Sequence, residues 1–133
     1  PISEGFYNWR DFSAENIEHI KRNLAAPYDG ILNSLDELVW DASWGNEPTT
    51  LLDRNVQIRK ILGSAPRLIP LYGHRFLPSY ENQEMPILSV VDLDIIYYGK
   101  DLYDYFEIEF GNRELSLALK EYKQVPFWTS DFY

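Results

Sequence analysis

Residues 67–110 constrain the fold of this chain more than any other stretch, because apolar runs and turn-forming residues follow one another closely there. The first run, residues 68–72, lies between Pro66 and Gly73, which is the pattern of a short buried strand. Pro70 lies inside that run and has no backbone N–H to donate to a neighbouring strand. The sequence therefore predicts a strand that lies at a sheet edge or carries a bulge at Pro70.

A loop is predicted after Gly73, whose missing side chain lets the backbone turn freely. His74 and Arg75 lie in this loop at the end of the strand, where side chains are displayed on a rigid base. Residues 76–78 are expected to close the loop, and the polar residues 79–84 are expected to form an exposed connection.

A β-hairpin and a helix are predicted next. The apolar residues 87–91 and 95–98 flank a tight Asp-Leu-Asp turn, which is typical of two antiparallel strands. Asp101 is a suitable N-cap, and Asp104 places negative charge in the first turn, where the helix dipole favours it. Gly111 suits the end of that helix. The predicted apolar face contains Leu102, Tyr105, Phe106 and Phe110.

Two helices are predicted before this stretch. Ser13 is expected to cap the first, which should end at Pro27, and residues 31–39 permit a further short helix. Thr49 or Thr50 is expected to cap the second of the two helices, which precedes residue 63. The buried side of the second helix is predicted to contain Leu51, Leu52, Val56, Ile61 and Leu62, and its solvent side Asp53, Arg54, Arg59 and Lys60.

Both ends of the chain are expected to pack against the core. Residues 6–12 are rich in aromatic side chains, and residues 125–128 read Val-Pro-Phe-Trp, so each segment should lie back on the body of the protein. Between the core and the tail, the leucines of residues 115–122 permit either a last helix or a strand.

The composition limits the class of protein. The 133 residues suit one domain that spans the whole chain, and a hydrophobic content of 45% excludes a disordered chain. There is no cysteine, which excludes disulfides and cysteine zinc sites. No apolar run approaches the ~20 residues of a membrane span, and residues 1–15 lack the apolar core of a signal peptide. A cytoplasmic location is therefore expected.

The chain is acidic, with a formal net charge of -9. This charge repels nucleic acid and anionic lipid, and it either favours a basic protein partner or simply keeps the protein soluble. No phosphate loop, nucleophile elbow or zinc-binding helix motif is present, and Asp92 and Asp94 lack the other ligands of a calcium loop. We therefore predict no catalytic residue, no metal and no cofactor.

His74 and Arg75 are the sharpest candidates for a site. Arg75 has the chemistry to hold a small anion or carboxylate, with His74 as a donor or base. Alternatively, Arg75 pairs with one of many acidic groups of the chain, and His74 bonds to a backbone carbonyl. Trp40 and Trp44 flank a loop, where they form either an exposed recognition surface or an aromatic cluster beneath the loop.

The central stretch resembles the SUKH superfamily, which contains bacterial proteins akin to the fungal cell-wall assembly regulators. The resemblance rests on residues 68–78, 86–90 and 94–99, on the acidic helix that ends at Glu109-Phe110, and on residues 126–128. It implies an α+β fold with a mixed or antiparallel sheet flanked by helices. It also implies a non-catalytic protein that binds other proteins, since many bacterial members are taken to be immunity proteins that neutralise toxins.

Two functional hypotheses follow. The first is an acidic immunity protein that binds a toxin, with a basic toxin as the candidate partner, through a surface containing Tyr72, His74, Arg75, Trp40 and Trp44. The second is a small-ligand-binding domain or enzyme that uses His74, Arg75 and a nearby carboxylate. The second requires these groups to converge in a concave pocket.

Overall fold

The computed structural model describes residues 6–80, 84–112, 114 and 122–130. Within these residues the helices are α1 (Ala14–Leu32), α2 (Leu51–Ser64) and α3 (Leu102–Phe110), with a short 3₁₀ turn at Ala42–Trp44. The strands are β1 (Arg67–Tyr72), β2 (Arg75–Ser79), β3 (Leu88–Val91) and β4 (Asp94–Tyr97). They form an antiparallel sheet in the order β1-β2-β3-β4. The expected α+β fold is confirmed, and the element predicted at residues 115–122 lies, except for residue 122, outside the described residues.

β1 lies at an edge of the sheet, as its internal proline predicted. Its register with β2 shifts between Pro70 and Tyr72, because Pro70 pairs with Phe76 whereas Tyr72 pairs with Arg75. The strand therefore has both features that the missing N–H allows, the edge position and the bulge.

The prediction of a loop after Gly73 is wrong, because the chain makes only a tight turn between β1 and β2. β2 begins at Arg75, and residues 76–78 belong to this strand instead of closing a loop. Gly73 has a φ of 54°, a left-handed conformation that glycine adopts without steric cost. The sequence obscured this strand because it is short and contains a proline, which usually argues against a paired position.

The predicted hairpin between β3 and β4 is confirmed, with a shorter turn than expected. Val91 pairs with Asp94, so Asp94 is the first residue of β4 and the turn itself is Asp92-Leu93. Asp92 has a φ of 52°, which aspartate tolerates better than most side chains.

α1 begins where the sequence predicted and ends later. The Oγ of Ser13 accepts a hydrogen bond from the backbone N–H of Asn16, as expected of an N-cap. The predicted end at Pro27 is wrong, because the helix continues through it to Leu32. Pro27 is buried, and so is Ile31, which lies one helical turn later. We infer that burial of this last turn offsets the hydrogen bond that the proline removes.

α2 is capped by Thr50, whose Oγ1 accepts from the N–H of Asp53 at 3.1 Å. Its predicted buried side is largely wrong, because Ile58 and Leu62 face the core. The exposed fractions of Leu51, Leu52 and Val56 are 57%, 76% and 62%. These three residues lie within the first two turns of the helix, whereas its buried residues, Ile58 and Leu62, lie in later turns.

The main core lies on one face of the sheet, where Phe76 and Leu88 are paired across β2 and β3. The tail packs into this core as predicted, with Trp128 fully buried and its Nε1–H donating to the carbonyl of Pro66 at 2.7 Å. No helix in the described part of the chain is both long and apolar enough to cross a membrane. The core consists of Ile31, Leu35, Leu38, Trp44, Ile58, Leu62, Leu68, Phe76, Met85, Leu88, Val90, Leu93, Val125, Phe127 and Trp128.

The opposite face of the sheet is covered by α3. Adjacent residues of a strand point to opposite faces, so Arg75 and its pairing partner Ser89 lie on the other side from Phe76 and Leu88. α3 is capped by Asp101, whose Oδ1 accepts from the N–H of Asp104 at 2.7 Å, which confirms the prediction. This second face carries the candidate site.

Candidate functional site

Arg75 is held on the second face of the sheet by partners from α3, from β3 and from the segment that follows β4. Its Nε lies 3.3 Å from Oε1 of Glu109 on α3, and its Nη1 donates to Oγ of Ser89 on β3 at 2.9 Å. The guanidinium carbon lies 3.8 Å from the centroid of the Tyr98 ring, within cation–π range. The side chains of Arg75 and Glu109 are only 14% and 15% exposed, so this is a largely buried ion pair.

His74 lies beside this cluster and remains exposed. Its Nε2 is 2.5 Å from Nη1 of Arg75. A guanidinium offers only donors, so Nε2 is the acceptor and a neutral ring carries its proton on Nδ1. Partial burial and the neighbouring Arg75 charge lower the pKa of His74, while Glu109 and Asp94 act in the opposite direction. His74 is therefore mostly neutral at neutral pH.

Glu109 also accepts a hydrogen bond from the hydroxyl of Tyr105, with 3.3 Å between the two oxygens. Burial and the negative charge of Glu109 raise the pKa of Tyr105. Tyr105 is fully buried, so its hydroxyl stays protonated and acts as a donor to the carboxylate. We refer to Arg75, Ser89, Tyr98, Tyr105 and Glu109 as the Arg75 cluster.

Further aromatic rings pack beside the Arg75 cluster. The ring of Tyr72 lies 4.9 Å from that of Phe6 and 5.2 Å from that of Phe110, edge to face in both pairs. Phe6 also bridges to Tyr72 as a β-partner, and the hydroxyl of Tyr7 donates to the carbonyl of Gly73 at 2.7 Å. The N-terminal segment is thus tied to the turn that carries His74, as its aromatic residues predicted, although Trp9 and Phe12 remain exposed.

Trp40 and Trp44 belong to a different part of the molecule. Trp44 is 8% exposed and stacks on Phe127 within the main core, on the other face of the sheet from Arg75. Trp40 is half-buried, with its ring edge to face against Trp44 and the Arg54 guanidinium over it. Trp44 therefore offers no surface to a partner in this conformation, and the contacts of both rings are those of a packed cluster.

Arg54 holds the loop that contains these tryptophans. Sequence placed it on the solvent side of α2, but its side chain is only 12% exposed. It donates to the carbonyl oxygens of Leu35 and Leu38 and pairs with Glu47. Arg54 thereby satisfies carbonyls of a segment that has no regular secondary structure.

The structure brings together three of the five predicted site residues, Tyr72, His74 and Arg75. Sequence reasoning missed Glu109, although a signal was present. Glu109 follows Leu102 by seven residues, which places a carboxylate on the predicted apolar stripe of α3. A charge on such a stripe indicates a buried partner, and that partner is Arg75.

The contacts within the Arg75 cluster limit its ability to bind a ligand. Arg75 is engaged by Glu109, Ser89 and Tyr98, so an anionic ligand would have to compete with a carboxylate already in place. His74 is exposed. For Arg75, the alternative predicted from the sequence, an ion pair with an acidic group of the chain, is the arrangement observed. Among the described residues, no group of three acidic or histidine side chains is placed to hold a metal ion.

Comparisons with protein-family models, with curated proteins and with solved structures yield no match to this chain.

Proposed function

We propose that this chain is a non-catalytic, cytoplasmic immunity protein that neutralises a toxin by binding it, and that the toxin is a basic protein. Three observations support the proposal. The net charge is -9, the central stretch resembles a superfamily of protein-binding immunity proteins, and an acidic, aromatic surface lies beside His74. The last of these carries the argument.

The surface is formed by α3 and the segments next to it, and we call it the α3 surface. It contains Phe6, Tyr72, His74, Leu102, Tyr103 and Phe106. The rings of Phe6 and Phe106 lie 6.4 Å apart, and Leu102 is one helical turn from Phe106. Phe6, Leu102 and Phe106 are 37%, 39% and 39% exposed, so the surface presents apolar area to solvent. Clustered aromatic area of this kind is enriched at protein interfaces.

The charge of α3 determines which partner fits this surface. The helix and its cap contain Asp101, Asp104, Glu107 and Glu109 and no basic residue. Arg75 balances Glu109, so the remaining carboxylates leave the helix negative. A basic partner would be steered to such a surface and would be held by the aromatic contacts after it arrives. Truncating a central aromatic anchor typically costs more than 1 kcal/mol of binding free energy, whereas rim charges mainly alter association rate.

The experiment begins with capture of partners from the host and from neighbouring strains on the immobilised chain. The captured protein is then expressed alone in a heterologous cell, and with this chain. We expect growth arrest by the partner alone and recovery on co-expression. A captured protein that is harmless, or whose toxicity is unchanged by this chain, would exclude the immunity role.

Variants of the α3 surface test where the partner binds. Phe106→Ala and Leu102→Ala are each expected to weaken affinity about tenfold or more, which corresponds to about 1.4 kcal/mol. Leu52→Ala is the matched control, because Leu52 is also an exposed helical leucine but lies on α2. Glu107→Gln should slow association at low salt, with Glu18→Gln on α1 as its control. Equal affinities for Phe106→Ala and Leu52→Ala would exclude this surface.

A further inference from the structure

We propose that a cavity at the C-terminal ends of α1 and α2 binds a small organic anion, held by Arg59 and Arg67 with the hydroxyl of Tyr28. This site is separate from the α3 surface and does not depend on the proposed immunity role. The ligand has a carboxylate or phosphate group on a flat apolar body.

The cavity has the size and lining of a ligand pocket. Its volume is about 380 Å³, within the range of ~300–1,000 Å³ that small-molecule sites occupy. Its lining includes the apolar residues Leu32 and Leu62 and three residues with polar side chains, Tyr28, Arg59 and Arg67. The apolar lining is suited to the body of a ligand, and the polar groups are suited to its charged end.

The two guanidiniums have unused hydrogen-bonding capacity. Nε of Arg59 donates to Oδ1 of Asn55 at 2.8 Å, and within the described ranges nothing accepts from its terminal nitrogens. Arg67 is exposed at the start of β1 and has no ion-pair or hydrogen-bond partner among those same residues. The chain has 21 acidic and 12 basic residues, so arginines have many carboxylates with which to pair. Two such cations on one cavity favour an anionic ligand.

Tyr28 is placed to contribute a third polar contact. It is half-buried, and its ring packs edge to face on Trp128, with 5.5 Å between the centroids. Burial raises the pKa of its hydroxyl, and the positive charge of nearby Arg67 acts in the opposite direction. The protonated hydroxyl is a donor, and Trp128 fixes the ring that carries it.

Two carbonyls at the end of α2 have hydrogen-bond partners other than the arginines. A helix C-terminus carries partial negative charge and leaves carbonyls without partners, so nearby cations often satisfy it. In α2 the backbone N–H of Ala65 donates to the carbonyls of Ile61 and Leu62, and Oγ of Ser64 also donates to Ile61. The carbonyls of Ile61 and Leu62 at the end of α2 are therefore satisfied without either guanidinium.

The test is calorimetric titration of the purified chain with phenyl phosphate, benzoate and inorganic phosphate, at ionic strength matched with sodium chloride. We expect saturable binding of phenyl phosphate or benzoate with Kd on the order of 0.1–1 mM, and weaker binding of inorganic phosphate, which lacks the apolar body. Binding of only one of the two aromatic anions would assign the ligand as a phosphate or as a carboxylate.

Variants locate the binding. Arg67→Gln should weaken affinity at least ~10-fold, and Tyr28→Phe should weaken it about threefold, since only a neutral donor is lost. Lys60→Gln is the matched control, because it removes one positive charge from α2, next to Arg59, at a residue that does not line the cavity. Circular dichroism checks that each variant folds. The proposal is overturned if no probe saturates below ~10 mM, or if Lys60→Gln loses as much affinity as Arg67→Gln.

Discussion

Arg75 and Arg67 lie at opposite ends of the same β-hairpin, and their surroundings differ completely. Arg67 pairs with Ser79 at one end of β1, and Arg75 pairs with Tyr72 at the other. The end that carries Arg75 is covered by α3, which supplies Glu109 and Tyr105. The end that carries Arg67 opens on a cavity between α1 and α2.

This difference distinguishes Arg75, whose charge is paired within the fold, from Arg67, whose charge is available to bind a ligand. Arg75 is buried, so its charge must be compensated within the protein, and the compensation leaves little capacity for a ligand. Arg67 is exposed, and water can solvate it, so folding does not require a partner. Arg75 is thus part of the fold, and the less conspicuous Arg59 and Arg67 are better placed to bind an anion.

The largest expected effect comes from removing the structural charge. Arg75→Met should lower the free energy of unfolding by about 3 kcal/mol, because it leaves the Glu109 carboxylate without its cation in a site that is largely buried. The measurement is urea unfolding followed by tryptophan fluorescence. A loss below ~1 kcal/mol would mean that Arg75 is not structural and would break the comparison.

Glu109→Gln is the control for this experiment. It removes the opposite charge but retains a group that accepts hydrogen bonds, so it should cost less than Arg75→Met. In the double variant neither charge is left alone, and its cost should be smaller than the sum of the two single costs. Additive costs would show that the two side chains do not stabilise each other.

Removing the available charge should have almost no effect on stability. Arg67→Gln is expected to change the free energy of unfolding by less than about 0.5 kcal/mol, because an exposed side chain without an ion-pair partner among the described residues contributes little. The same urea titration measures it. A loss comparable to that of Arg75→Met would mean that Arg67 is as structural as Arg75.

The parts of the fold that sequence predicted are those decided locally. Ser13, Thr50 and Asp101 each cap the helix that follows, because the capping hydrogen bond joins residues three apart. Pro70 likewise predicted an edge position or a bulge from a single missing N–H, and β1 has both.

The parts that sequence missed depend on distant residues. Pro27 does not end α1, since the turn beyond it packs on the core, and Gly30 allows this close approach. A Cβ on Gly30 would lie 2.9 Å from Cα of Asp92. Leu51 and Leu52 were placed on the buried side of α2, but the core contacts come from later turns. The pairing of Arg75 with Glu109 joins a strand to a helix that local pattern does not relate.

His74 provides a small effect but a sharp comparison, because the charge of Arg75 is one of the two causes that lower its pKa. Burial and the Arg75 charge lower the pKa of His74 below its ordinary value of 6.5, so the unfolded chain binds the proton more readily than the folded one. Stability must then rise with pH between the lowered folded pKa and 6.5, and fall as the pH drops through that window.

The prediction is read as a difference between the wild-type chain and His74→Gln, which keeps an acceptor for Arg75 but does not titrate. Between about pH 7.5 and about pH 5, the wild type should lose more stability than the variant, by a small amount because His74 is exposed. In an Arg75→Met background the difference should shrink, since one cause of the lowered pKa is gone while the partial burial remains. If the difference is unchanged in that background, the charge of Arg75 does not reach His74, and burial alone accounts for the behaviour of the histidine.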